Sequence, residues 1–215
     1  MKTKEEINKI FSIFEKNNRN PKTELSYNSS FELLIKVILS AKSKDKVVNK
    51  AAKKLFKVAN TAKTIKVLDP EELEEYIKTI GLFKNKRSNI IATCKILSEA
   101  YDGEIPSTRS ELEKLPGVGR KTASVILNIV FNQKTIAVDT HVFRTVNRIG
   151  IHIEKNKNRI NKVEDILLNI IPDKYKKNAH FWLVDHGKNI CKARKPNCAE
   201  CKISKYCDTF NKTSI

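Results

Sequence analysis

The sequence is poor in the residues that break or bend a chain: 6 glycines and 6 prolines among 215 residues exclude a collagen-like repeat and a Pro/Gly-rich low-complexity segment. No uninterrupted apolar run approaches the roughly 20 residues needed to span a bilayer, so no membrane crossing is expected. The N-terminal stretch MKTKEEINKIFSIFEK mixes acids with bases in an amphipathic pattern. That pattern fits neither a secretory signal nor a transit peptide, and it predicts a folded helix in a cytoplasmic protein. Cysteine is scarce as well. Five cysteines without an export signal argue against a disulfide framework, and four of them fall within 17 residues near the C-terminus, which calls for a metal.

Acidic residues are also in deficit: 24 Asp and Glu against 42 Lys and Arg leave a formal charge of +18. Such a surface favours a polyanion through counterion release, and nucleic acid is the leading partner. The excess is mostly lysine, 34 against 8 arginines, a usage that an AT-rich genome also produces. With 40% hydrophobic residues the chain has enough apolar material for a core in one or two domains.

Helix signals dominate. Ser29 with Glu32 forms a capping-box pattern before FELLIKVIL, Asp69 with Pro70 and Glu72 opens a second helix, and Thr108 with Glu111 opens a third. Apolar Ile160, Val163, Leu167 and Ile170 share one helical face that Pro172 ends. The one strand-like alternation is TIAV at 135–138, without a clear partner. An all-α fold of roughly ten short helices is therefore expected.

Two segments, TIGLFKNKRSNII at 79–91 and KLPGVGRKTASVI at 114–126, place glycine in a tight turn between helices and follow it with bases. Each reads as a helix-hairpin-helix. In the second, Pro116 stops one helix, while Gly117 and Gly119 permit backbone conformations closed to other residues, bringing amide groups against a ligand. Those amides, from Gly117 through Val118, Gly119 and Arg120, lie where the next helix starts, so donors and the positive end of the dipole face one anion. The turn is suited to gripping a phosphate irrespective of base sequence.

Lys121 follows on the first turn. As a phosphate contact it needs only its charge. As a nucleophile it must be neutral, and at a reference pKa of about 10.4 only ~0.04% is neutral at pH 7. The helix N-terminus, Arg120 and partial burial would lower that pKa, and a carboxylate would receive the proton. Asp139 in AVDTHVFR is the candidate, and it is equally placed to cap the helix THVFRTVNRI. Cys191, Cys198, Cys201 and Cys207, separated by six, two and five residues, can surround either a zinc ion or an iron-sulfur cluster, with the uneven spacing leaning toward iron. Cys94 has helical neighbours and reads as a core thiol.

LPGVGRKTA followed by VDTHVFR and the C-x6-C-x2-C-x5-C loop closely resembles the endonuclease III family of the helix-hairpin-helix DNA glycosylase superfamily, over nearly the whole chain. The resemblance implies two helical domains flanking a DNA-binding cleft: a six-helix domain at 23–133, and an iron-sulfur domain formed by 1–22 with 134–215. It implies base excision repair of oxidised pyrimidines in double-stranded DNA, with Lys121 attacking C1′ to form a Schiff base that leads to β-elimination, and Asp139 assisting. It further implies a structural 4Fe-4S cluster on the four cysteines, with Lys192, Arg194 and Lys195 facing DNA phosphate. Leu82 matches the apolar wedge of the family. Lys42 stands where the family usually has glutamine filling the space of the flipped nucleotide, Lys44 replaces a usual threonine, and Asp45 keeps an acidic position expected to cap a helix. His141 is expected to support the site by packing or by holding a neighbouring group, and His180 and His186, on an apolar helix, to make core or interdomain contacts. The protein is expected to act as a monomer in the nucleoid-associated cytoplasm of a bacterium. The competing readings are a monofunctional adenine glycosylase, in which water attacks the sugar, and a non-catalytic DNA-binding module.

Overall fold

The computed structural model describes residues 2–153, 156 and 160–213. Among them run twelve α-helices: α1 (Lys4–Asn17), α2 (Ser30–Ser40), α3 (Asp45–Leu55), α4 (Ala62–Ile65), α5 (Pro70–Ile77), α6 (Phe83–Ala100), α7 (Arg109–Leu112), α8 (Arg120–Ile129), α9 (Thr140–Ile149), α10 (Ile160–Ile170), α11 (Asp173–Asn189) and α12 (Asp208–Thr213). The count exceeds the expected ten because α4 and α7 are single turns of four residues. No strand occurs among the described residues. In TIAV the four residues Thr135 to Val138 are all buried, so the apparent alternation does not separate an inner from an outer face.

Helix starts follow local chemistry. Thr3 caps α1 in a full capping box, its hydroxyl accepting from the Glu6 amide at 3.2 Å while Glu6 accepts from the Thr3 amide at 2.9 Å. Asp69 caps α5, with Pro70 at the first helical position. At α2 the expected box is half formed: Ser29 accepts from the Glu32 amide at 3.1 Å, but Glu32 reaches the Asn28 amide at 2.8 Å instead of that of Ser29. Asp45 does not hold the cap position of α3, which falls to Lys44; as the first helical residue, Asp45 instead sets its carboxylate against the positive end of the dipole.

The helices form two compact units, Thr23–Phe131 and Met1–Lys22 with Asn132–Ile215. In the first, α2 is buried from Phe31 to Leu39, with α3, α6 and α8 packed against it. That wrapping buries Lys36, whose pKa burial lowers, and its ammonium donates to the Ser26 carbonyl. In the second unit α11 packs on α1 and α9. Phe11 lies 5.8 Å from the Tyr175 ring and 6.3 Å from that of Trp182, and the Trp182 indole donates to the Asn18 carbonyl at 2.8 Å. Close approach of α9 to α11 depends on Gly187, where a Cβ would come within 2.9 Å of the His141 Cβ.

Candidate functional site

The hairpin between α7 and α8 turns at Gly117, whose φ of +80° is left-handed. A Cβ at Gly117 would also lie 3.1 Å from Asn89 and 3.2 Å from Ile38, so both backbone and packing select glycine. Gly119 differs from expectation: at φ −92° its backbone is ordinary, and a Cβ there would meet nothing of the protein within 4 Å. Val118 also differs. Its side chain is buried in the core at 4% exposure and its amide donates to the Leu115 carbonyl at 3.0 Å, so the exposed part of the turn is Gly117 and Gly119. Thr93 braces the turn from α6 by donating to the Pro116 carbonyl at 2.8 Å, and Arg109 donates to Ser124 of α8 at 2.9 Å.

Lys121 is the second residue of α8 and is exposed. The partial burial expected to favour its neutral amine is absent, because α8 turns Ala123, Ile126 and Leu127 into the core and Lys121 away from it. Arg120 beside it is half-buried.

In the hairpin before α6 the left-handed residue is Leu82 itself, at φ 60°, and its side chain is 54% exposed. A left-handed conformation costs an L-residue about 1–2 kcal/mol, and exposing leucine forfeits its burial. Phe83 beside it packs against the core. Lys42, exposed in the loop after α2, is left-handed too, at φ 53°. Strained exposed residues persist only where the surroundings hold them, and they concentrate at working sites.

Asp139 precedes α9, and one carboxylate oxygen accepts from the His141 amide at 2.8 Å and the Val142 amide at 2.9 Å. The cap fixes the direction of the carboxylate. His141 meets Arg144 through Nδ1 at 3.2 Å. His180 lies in the core with its Nδ1 2.7 Å from the Ala137 carbonyl. Burial lowers the His186 pKa to about 4, and its Nε2 lies 3.9 Å from the Cys201 sulfur.

The four C-terminal cysteines follow α11, and none of them is in a disulfide. Burial raises the pKa of Cys201 and Cys207, and the other cysteines of the set act on both in the same direction. Four thiolates carried on one 17-residue stretch suit, by donor type, a thiolate-bound metal centre whose positive charge would offset theirs. Among the described residues, no three His, Cys, Asp or Glu side chains converge as a single-ion site. Arg148 donates to the Cys191 sulfur at 3.6 Å and to the carbonyls of Lys192 and Ala193 at 2.7 and 3.0 Å. Lys192, Arg194 and Lys195 are exposed on the loop, Lys195 at φ 49°.

Residues 35–172 match the family model described as HhH-GPD superfamily base excision DNA repair protein. Endonuclease III of Rickettsia conorii is 53% identical over 95% of this chain and 96% of its own, and that of Rickettsia felis is 51% identical over 97% of each. A solved trapped endonuclease III–DNA covalent intermediate, an estranged-adenine complex, superposes with a TM-score of 0.93 at 39% identity, covering 100% of both chains. The chain belongs to the endonuclease III family.

An endonuclease III is a base excision repair enzyme of the DNA glycosylase and abasic-site lyase class, and its partner is damaged double-stranded DNA. No helix of this chain, among the described residues, is long and apolar enough to cross a membrane. Sequence reasoning passed over the residues that brace its site. Arg144, besides meeting His141, donates to the carbonyls of Cys191 at 2.9 Å and Gly187 at 2.8 Å. With Arg148 one turn later it fastens α9 to the cysteine loop. The i, i+4 spacing of two arginines on an amphipathic helix was the available signal, but it does not name carbonyls more than forty residues away. Thr93 and Arg109 carry no such signal at all.

Proposed function

We propose that this member of the family removes oxidised, ring-saturated or fragmented pyrimidines and cleaves the resulting abasic site through Lys121. The neutral Lys121 Nζ attacks C1′ of the damaged nucleotide. The N-glycosidic bond breaks, the base leaves with a proton, and ring opening gives an iminium between Nζ and C1′. Loss of a C2′ proton then expels the 3′ phosphate by cleavage of the C3′–O bond, and water releases the lysine. Asp139 takes the proton that the attacking amine gives up, and its fixed cap geometry suits it to that task. His141 has no step of its own in this scheme.

The exposed turn at Gly117 and Gly119 holds the DNA backbone by its amides, with Arg120 adding charge. The open space beside Gly119 supports this, because a side chain there would obstruct only a molecule outside the protein. Leu82 enters the base stack as a wedge, and Lys42 fills the space of the flipped nucleotide or meets the orphan strand. Cys191, Cys198, Cys201 and Cys207 would hold a 4Fe-4S cluster. When bound, that group cross-links the C-terminal loop and presents Lys192, Arg194 and Lys195 to phosphate. Residues 23–133 thus carry the hairpins, and 1–22 with 134–215 carry the cluster.

The observation that carries the lyase reading is an exposed lysine one residue past the start of α8, directly after a turn whose Gly119 faces open space. The existence of a trapped covalent DNA intermediate of a relative agrees with it. The test incubates the protein and borohydride with duplexes bearing thymine glycol, an abasic site or a mismatched adenine, in excess chelator. Covalent adducts on the first two support the reading. Adenine release without an adduct would make it a monofunctional glycosylase, and binding without cleavage a non-catalytic module. Broad visible absorbance of the purified protein supports the cluster, and a colourless protein with stoichiometric zinc would refute it.

A further inference from the structure

The two strained loop tips at Lys42 and Leu82 are joined by a single buried side chain. Lys86, 4% exposed on the first turn of α6, donates from Nζ to the Leu39 carbonyl at 2.8 Å, the Ala41 carbonyl at 2.6 Å and the Ser43 hydroxyl at 3.1 Å. An ammonium has three donors and no acceptor, so these bonds use it completely. Burial pulls the Lys86 pKa down, and the counterweight is the C-terminal end of α2, where carbonyls left outside the helix ladder gather at the negative end of the dipole.

The acceptors bracket one residue: Ala41 precedes Lys42 and Ser43 follows it. The Lys86 backbone completes the link, since its amide donates to the Leu82 carbonyl at 3.1 Å. The loops also touch directly, for a Cβ on Gly81 would lie 3.4 Å from the Lys42 carbonyl and 3.7 Å from the Ser43 hydroxyl. One residue therefore ties down the backbone before Lys42, the side chain of the residue after it, and the Leu82 carbonyl.

We propose that Lys86 is a positioning residue for duplex opening, locking the Lys42 and Leu82 loops into one two-pronged element that enters the base stack as a unit. This rests on the reading of Leu82 as the wedge. An apolar tip on an independent loop would yield when pressed against stacked bases; tied to a second loop through a satisfied buried charge, it transmits the force to α2 and α6.

The test compares single-turnover borohydride trapping on an abasic oligonucleotide as a duplex and as a single strand, where no stack has to be opened. Lys86→Met, which keeps the length and apolar stem, is expected to lower the duplex-to-single-strand rate ratio by about tenfold, less than the roughly hundredfold that a full 1 Å misplacement can cost. Leu82→Ala is expected to lower the same ratio, and the double variant to fall no further than the worse single one, because coupled residues are not additive. General loosening of the fold slows both substrates and leaves the ratio unmoved. An unmoved ratio in Lys86→Met beside a lowered one in Leu82→Ala overturns the role of Lys86 and leaves the wedge standing. An unmoved ratio in Leu82→Ala overturns the wedge and this proposal with it. If Lys86→Met does not fold, Ser43→Ala removes one of the three acceptors. A ratio lowered at least about twofold then supports the proposal, and an unchanged one overturns it.

Discussion

The two hairpins of Thr23–Phe131 share a spacing and use it in opposite ways. Gly81-Leu82-Phe83 and Gly117-Val118-Gly119 align residue for residue. In the second the left-handed residue is the glycine, and Val118 turns into the core; in the first it is Leu82, which turns outward. A shift of one residue in the positive-φ position thus converts a smooth backbone grip into a projecting apolar tip. The glycine turn carries no backbone penalty and suits a surface that must lie flush with phosphate. The leucine turn costs about 1–2 kcal/mol, which the bonds from Lys86 help to offset.

The largest effect is expected at Lys121, just past the glycine turn. Lys121→Gln should abolish borohydride trapping on abasic duplex while leaving duplex binding largely intact, since one surface charge is lost from a chain with a formal charge of +18. Undiminished trapping would move the nucleophile elsewhere.

Matched substitutions at the aligned positions should part company next. Val118→Asn buries an amide in the core and is expected to cost about 3 kcal/mol in urea unfolding. Leu82→Asn should change stability by less than about 1 kcal/mol, because asparagine tolerates the left-handed region and the site is exposed, yet it should lose duplex opening. Equal destabilisation at both positions would erase the contrast between the hairpins. Within the second turn, Gly117→Ala is expected to lower stability by about 1–3 kcal/mol. Gly119→Ala should leave the melting temperature alone and weaken affinity for duplex DNA.

The smallest effect reports on the helix behind the first hairpin. Burial pushes the Cys94 thiol of α6 from 9.0 up to about 12. Above pH 9 the unfolded chain loses that proton while the folded chain keeps it, so folding stability falls as pH rises from 9 toward 12. Urea unfolding at pH 8 and pH 10 should show a loss of about 1 kcal/mol that Cys94→Val lacks.

Much of this was legible in the chain. Caps at Thr108, Asp69 and Asp139 rest on side-chain chemistry within three residues, and they appear where local spacing puts them. Pro116 and Gly117 mark the turn for equally local reasons. What could not be read is the direction in which a turn faces, because G-L-F and G-V-G are alike until tertiary packing selects which residue takes positive φ. The same holds for Glu32, whose choice of Asn28 over Ser29 follows from how the preceding loop arrives. Bonds between distant elements, from Lys86 to Ala41 or Arg148 to Ala193, leave no periodic trace.

The chain has a single tryptophan, Trp182, and its indole is anchored to Asn18 inside the unit that carries Asp139. Emission excited selectively from tryptophan therefore reports on that half of the molecule, not on the surroundings of Lys121. Denaturation followed by tryptophan emission and by far-ultraviolet dichroism should coincide if the halves come apart together, and should separate if one half outlasts the other.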